Sequence, residues 1–288
     1  MTVALTLLIN GVANSAIYFL MAAGLTLIFG LLRVINFAHG GVYLWGAYLG
    51  TFLYTATGNF FIAVCGGLVT GALLGWLSER GLLAAIYGQG TQQLLLTMGI
   101  FIILSELIKI PFGRDPINSS PPPVLGHSWI VGHVVIVEYQ VFAVVAGALV
   151  YVALVLLLSR TRLGLVVRAG VTNPELVQSR GVAIKRVFTA VFVLGAALAG
   201  FAGALAGPYF GSVTPGMGMD MQLNAFIIVV LGGLGSLKGS LVGSLLIGVA
   251  TAVVSYYASS LAVLSSVIVM AIVLVIRPNG LFGSKEVV

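Results

Sequence analysis

Charge is what this 288-residue chain has least of: Asp, Glu, Lys and Arg together make up 7% of it. A soluble domain carries about 25%, so no stretch here has the composition of a soluble catalytic domain. Cysteine is nearly absent as well. Cys65 stands alone inside an apolar run, which excludes an internal disulfide and every cysteine-based metal spacing. Acids number seven against thirteen bases, and no apolar run holds paired Asp residues, a Ser-Lys pair or His-Glu-x-x-His. An intramembrane hydrolase would need one of these. No G-x-x-x-x-G-K-[ST] loop occurs either: residues 235–239 read Gly-Ser-Leu-Lys-Gly, with the lysine out of place and order. Gly233 and Gly235 do not begin a G-x-G-x-x-G motif, because position 238 is lysine.

Apolar residues fill 60% of the chain. A hydrocarbon core of roughly 30 Å needs about 20 helical residues per crossing, so the length suits eight or nine spans and little else. The expected fold is an all-α polytopic transmembrane bundle in one domain, residues 1–288. No Lys or Arg precedes the first apolar run, and that run is too long for a signal-peptide core; it reads as a first span. The net charge of +6 does not point to nucleic acid, because the bases gather at span ends, where orientation and anionic headgroups place them.

Six of the thirteen Lys and Arg residues fall in one stretch, 160–186: Arg160, Arg162, Arg168, Arg180, Lys185 and Arg186. The runs 139–159 and 187–207 on either side carry no charge. A basic island between two uncharged apolar runs is expected to be a cytoplasmic loop. Spans are then expected near 4–32, 42–57, 60–77, 93–110, 139–159, 187–207, 223–236, 240–257 and 261–276. This register puts Arg33, Arg80, the island, Lys238 and Arg277 on the cytoplasmic side, the N-terminus outside and the C-terminus inside. Whether 223–236 crosses fully is left open, since glycines and Lys238 interrupt it. Gly-interrupted segments point to transport sites built on discontinuous helices.

Polar residues inside the spans are few. Asn10 and Asn14 share one helix face, either for an interhelical hydrogen bond or for a place on a pathway. The segment RVINFAHGG, 33–41, brings Asn36 and His39 between two apolar runs. It reads either as a turn at the interface or as a broken helix, which is tolerated only where protein or a water-filled cavity surrounds it. Asn224 completes the candidate pathway residues. Gly67, Gly71 and Gly75 form one small-residue stripe, and Gly195, Ala199, Gly203 and Gly207 another, both signals of close helix packing. Glu106 and Lys109 suit an i, i+3 ion pair. Residues 111–138 form the longest loop on the opposite side, with a hairpin over 129–137, and 208–221 a second such loop.

The island is longer than a connection requires and carries helix signals. Asn173 suits an N-cap and Pro174 the first helical position. Glu175 complements the positive helix end, and Gly181 can supply a left-handed stop. A helix over about 174–180 follows. Two turns are unstable alone, so it must dock, on its own membrane domain or on a partner.

GLVVRAGVTNPELVQSRGV, together with RVINFAHGG, VVLGGLGSLKGSLVGSLLIG and the closing RPNGLFG, resembles the permease subunits of ABC importers for branched-chain amino acids, over nearly the whole chain. The resemblance implies that the island helix is the coupling helix that inserts into an ATPase subunit. Gly164, Arg168, Asn173, Pro174, Glu175 and Gly181 would form and position it. It further implies two ATPase subunits, a second related permease, an external binding protein and residence in a bacterial inner membrane. ATP would be used by the partners, with no cofactor bound here and no enzymatic activity of its own. Urea and short-amide importers share these motifs. An ion-coupled secondary transporter is the rival of a different class, and the scarcity of intramembrane acids counts against it.

Overall fold

The computed structural model describes residues 2–32, 35–132, 134–172 and 174–283. Among them the chain is an all-α bundle. The helices that pack it are α1 (Thr2–Leu32), α2 (Ala38–Thr57), α3 (Phe60–Gly81) and α4 (Gly90–Leu107), the last extended by the single turn α5 (Lys109–Phe112). Then come α6 (Glu138–Arg160), the short pair α7 (Arg162–Thr172) and α8 (Pro174–Ser179), α9 (Ile184–Phe210), α10 (Met217–Gly232), α11 (Leu237–Tyr257) and α12 (Ala262–Ile276). Six helical stretches are long and apolar enough to cross a membrane: those of α1, α3, α4 with α5, α6, α9 and α11. Helices satisfy their own backbone polar groups, which is why such runs adopt them in lipid. The apolar helices of α10 and α12 are shorter.

Helices α1 and α9 form the interior, whereas most of α3, α4 and α6 faces outward. α1 packs on α6, α9, α10 and α11, and α9 on α2 and α3 as well. Small residues make these approaches possible. Gly71 and Gly75 of the first stripe lie on Ala196, where an added Cβ would come within 2.4 and 2.3 Å of it. The second stripe meets other helices: Gly195 lies on Gly24 of α1, Gly203 on Tyr43 of α2, and Gly207 on Thr51 and Ser119. α9 therefore carries a further small face, Ala196, Gly200 and Ala204, that receives α3.

Three boundaries differ from expectation. α9 runs on through Pro208 to Phe210, because a proline in the last turn of an intramembrane helix is tolerated where neighbouring groups take up the freed carbonyl. α10 then begins at Met217, so the expected loop over 208–221 is only six residues long, 211–216. The island holds two helices, α7 and α8, where one was expected. The end away from the island carries two small sheets: the expected hairpin, β2 (Ser128–Val131) with β3 (Val134–Val137), and a pairing of β1 (Ile117–Asn118) with β4 (Ser212–Val213). That second pairing ties the long loop to the start of α10. Glu106 and Lys109 form the expected ion pair, at 2.5 Å.

At the island end, the RPNGLFG segment returns to close α10. The Leu281 and Phe282 amides donate to the Leu231 and Gly232 carbonyls, at 2.9 and 3.0 Å. These are among the last carbonyls of a helix, which have no partner within it. At the end of α3, Glu79 is buried and accepts a 2.7 Å hydrogen bond from the Tyr87 hydroxyl. Burial, and then this bond to Glu79, raises the Tyr87 phenol above its ordinary pKa. The cation expectation for Arg33 falls on a residue outside those described.

Candidate functional site

Two regions hold the residues singled out above: the island helices, and a polar seam where α1, α2, α9 and α10 meet.

In the first, α7 folds back on the end of α6. Gly164 sits so close that an added Cβ would lie 2.2 Å from the Leu158 carbonyl oxygen. Thr161 bridges the joint: its hydroxyl donates to the Leu157 carbonyl at 2.6 Å and accepts from the Gly164 amide at 3.2 Å. The Arg168 guanidinium donates to the Leu158 carbonyl, placing a cation at the negative end of α6. Gly164 and Arg168 thus hold the elbow from which α8 follows. α8 starts at Pro174 and Gly181 has φ 79°, the left-handed stop its sequence requires. Val177 turns inward and is buried, whereas Leu176 is 58% exposed. Asn173 and the side chains of Val171, Pro174 and Glu175 lie outside the described residues.

In the second region, residues 35–37 are non-helical and enclosed. The Thr97 hydroxyl donates to the Ile35 carbonyl at 3.3 Å, and the Gln222 amide to the Asn36 carbonyl at 3.2 Å. Phe37 stacks on Phe226. Asn36, His39 and Gln222 are all buried. His39 Nε2 is 3.1 Å from the Met21 carbonyl oxygen, and its ring lies against Gly24, which touches Gly195 of α9. Gly195 is eleven residues into α9, about 16 Å along its axis. The non-helical residues 35–37 therefore lie inside the bundle and not at its face, and 38–41, expected to be part of the interruption, are the first turn of α2.

α10 also starts inside. An added Cβ on Gly40 would lie 2.5 Å from the Gly218 carbonyl oxygen, so the first turns of α2 and α10 are in contact. Neither start has a side-chain cap. Around this contact Asn36 Oδ1, His39 Nδ1, the Tyr43 hydroxyl and Gln222 Oε1 are buried with no hydrogen-bond partner among the described residues. Leaving such a group unsatisfied costs about 1–3 kcal/mol.

The other pathway candidates separate. Asn10 accepts from Gln140 of α6 at 3.2 Å, and Asn14 from the Tyr209 hydroxyl of α9 at 2.7 Å. The pair on one face of α1 thus joins two different helices. Asn224 lies half-buried on α10, four residues from Asp220, so the two share a face one turn apart. Gln222 and Asp220 are the residues of this seam that sequence reasoning passed over. Asp220 looked like part of a loop, although an acid in a helix's first turn is itself a start signal. It is exposed and lines the open side of a cavity of about 220 Å³ with Phe210, Ser212, Thr214, Met217 and Met221.

Comparison with known proteins agrees with this anatomy. The family described as branched-chain amino acid transport system / permease component matches residues 7–277. The high-affinity branched-chain amino acid transport system permease protein LivH of Escherichia coli (strain K12) is 30% identical, over 96% of this chain and 95% of its own. BraD of Pseudomonas aeruginosa, named likewise, is 30% identical over 97% and 96%. A probable branched-chain amino acid transport permease protein LivH of Methanocaldococcus jannaschii is 28% identical over 95% and 91%. No solved structure matches the chain significantly.

Proposed function

Because the chain belongs to the branched-chain amino acid transport system permease family, we propose that it is the membrane-spanning subunit of an importer for branched-chain amino acids, driven by separate ATPase subunits. The importer reading follows from near full-length identity to permeases so named. The ATPases, a second permease and an external binding protein are our extension of it. So is the orientation, with the island and the C-terminus cytoplasmic.

The observation that carries the drive mechanism is the elbow. α6, α7 and α8 form a continuous lever: Gly164 and Arg168 lock α7 to α6, and α8 holds Leu176 out on the island face. A partner gripping α8 would move α6, and α6 packs on α1. Two packed arrangements of rigid helices, exchanged by such a pull, make a bistable switch. The polar seam then lies on the conduit, with the α2 and α10 breaks as its discontinuous helices. Its scarcity of fixed charge suits an amino acid with an apolar side chain, and leaves selection to a binding protein.

The test is uptake in proteoliposomes. Radiolabelled leucine should enter only with the ATPases, binding protein and ATP present, and labelled urea should not. Leucine uptake by this chain alone, driven by an ion gradient, would assign it to the secondary transporters instead.

A further inference from the structure

We propose that the cavity at Asp220 receives the α-ammonium group of the transported amino acid, with Asn224 the next polar contact one turn deeper along α10. This rests on the importer reading for the substrate class and goes beyond it in naming the group that recognises it.

The cavity opens at the end away from the island, beside the β1–β4 pairing. Its lining combines one carboxylate, the Ser212 and Thr214 hydroxyls, and the apolar surfaces of Phe210, Met217 and Met221. That is the chemistry of a zwitterion with an aliphatic side chain: a charge to be met, small polar contacts, and adaptable thioether walls. An acid in the first turn of a helix also has an ordinary reading, as a complement to the helix dipole. Three observations go against that reading as the whole account. The start of α10 has no side-chain cap, and the Met219 and Asp220 amides already bond back to the Gly216 carbonyl. Asp220 enters neither of the salt bridges among the described residues, while Glu106 and Glu138 do. The Tyr43 hydroxyl, on the helix whose first turn touches the first turn of α10, is completely buried and has no hydrogen-bond partner among the described residues.

Below Asp220 the same face offers Asn224, half-buried. Asn14 and Tyr209 are joined by a hydrogen bond, and the Tyr209 ring packs edge-on against Phe210 of the cavity wall.

The experiment uses the assembled importer in proteoliposomes and reads leucine moved per ATP hydrolysed. Asp220→Asn should lower that ratio at least tenfold, and Asp220→Glu should restore much of it, with both variants co-purifying with the ATPases. An Asp220→Asn importer that moves as much leucine per ATP as the parent overturns the proposal. So does loss of ATPase association in Asp220→Asn that Asp220→Glu does not repair, which would give the carboxylate to the fold of α10. Uptake that depends on Na⁺ in the parent but not in Asp220→Asn would assign the carboxylate to an inorganic cation, and likewise overturns it. If the parent moves no leucine in the same assay, it is the importer reading that fails.

Discussion

Leu176→Asp should reduce ATP-driven uptake to less than a tenth while leaving the chain in the membrane. Leu176 is exposed on a six-residue helix whose inward contact is the neighbouring Val177. The substitution therefore touches the outward face and leaves the inner contact in place. A helix this short gains its stability from what it packs against. Apolar residues that anchor an interface cost about 2 kcal/mol or more when lost, roughly thirtyfold in affinity. A carboxylate buried in their place adds its desolvation. Co-purification with the ATPases should fall in step with uptake. Undiminished uptake would mean that α8 is not where force enters.

Gly200→Leu should prevent recovery of a folded protein. Gly200 lies where α2, α3 and α9 meet: added Cβ atoms on Gly46 and Gly71 would fall 2.6 and 3.0 Å from its Cα, and one on Gly200 itself 2.2 Å from the Gly67 carbonyl oxygen. Every neighbour in conflict is backbone, which cannot rotate away. Overpacking a core costs about 1–3 kcal/mol even where side chains can adjust. Here two helices would have to separate, and close van der Waals contact is what joins helices in lipid. Gly99→Leu is the matched control, since an added Cβ there meets nothing within 4 Å. Size-exclusion chromatography in detergent should give a single peak for Gly99→Leu and aggregate for Gly200→Leu. Equal profiles would refute the three-helix contact.

Much of the bundle was readable because lipid makes two properties count: apolar length and the placement of cations. The helices that pack the bundle fall where apolar runs were expected, and both glycine stripes face other helices. Pro174 and Gly181 placed α8 correctly, since proline and a left-handed glycine act through local geometry alone. What was hidden depends on depth. Whether 33–41 turned at the surface or inside could not be read from its letters, because the same glycines and polar residues serve both. The answer lies in contacts with Met21, Thr97 and Gln222, far away in the chain. α7 was missed because its glycines and β-branched residues dilute the helical pattern, while the joint to α6 stabilises it through Thr161 and Arg168. Asp220 was hidden by Pro208, read as the stop of α9, and by the Gly-Met alternation at 216–219, which has no helical period. Asn10 and Asn14 were legible as polar positions, but which helices they would join was not.

The account turns on α8 being a cytoplasmic handle. With Cys65 replaced by serine, the chain carrying Leu176→Cys has one thiol to label. A membrane-impermeant maleimide should modify it in inside-out vesicles, not in intact cells, and bound ATPase should protect it. Modification in intact cells, or no protection by the ATPase, would contradict the account.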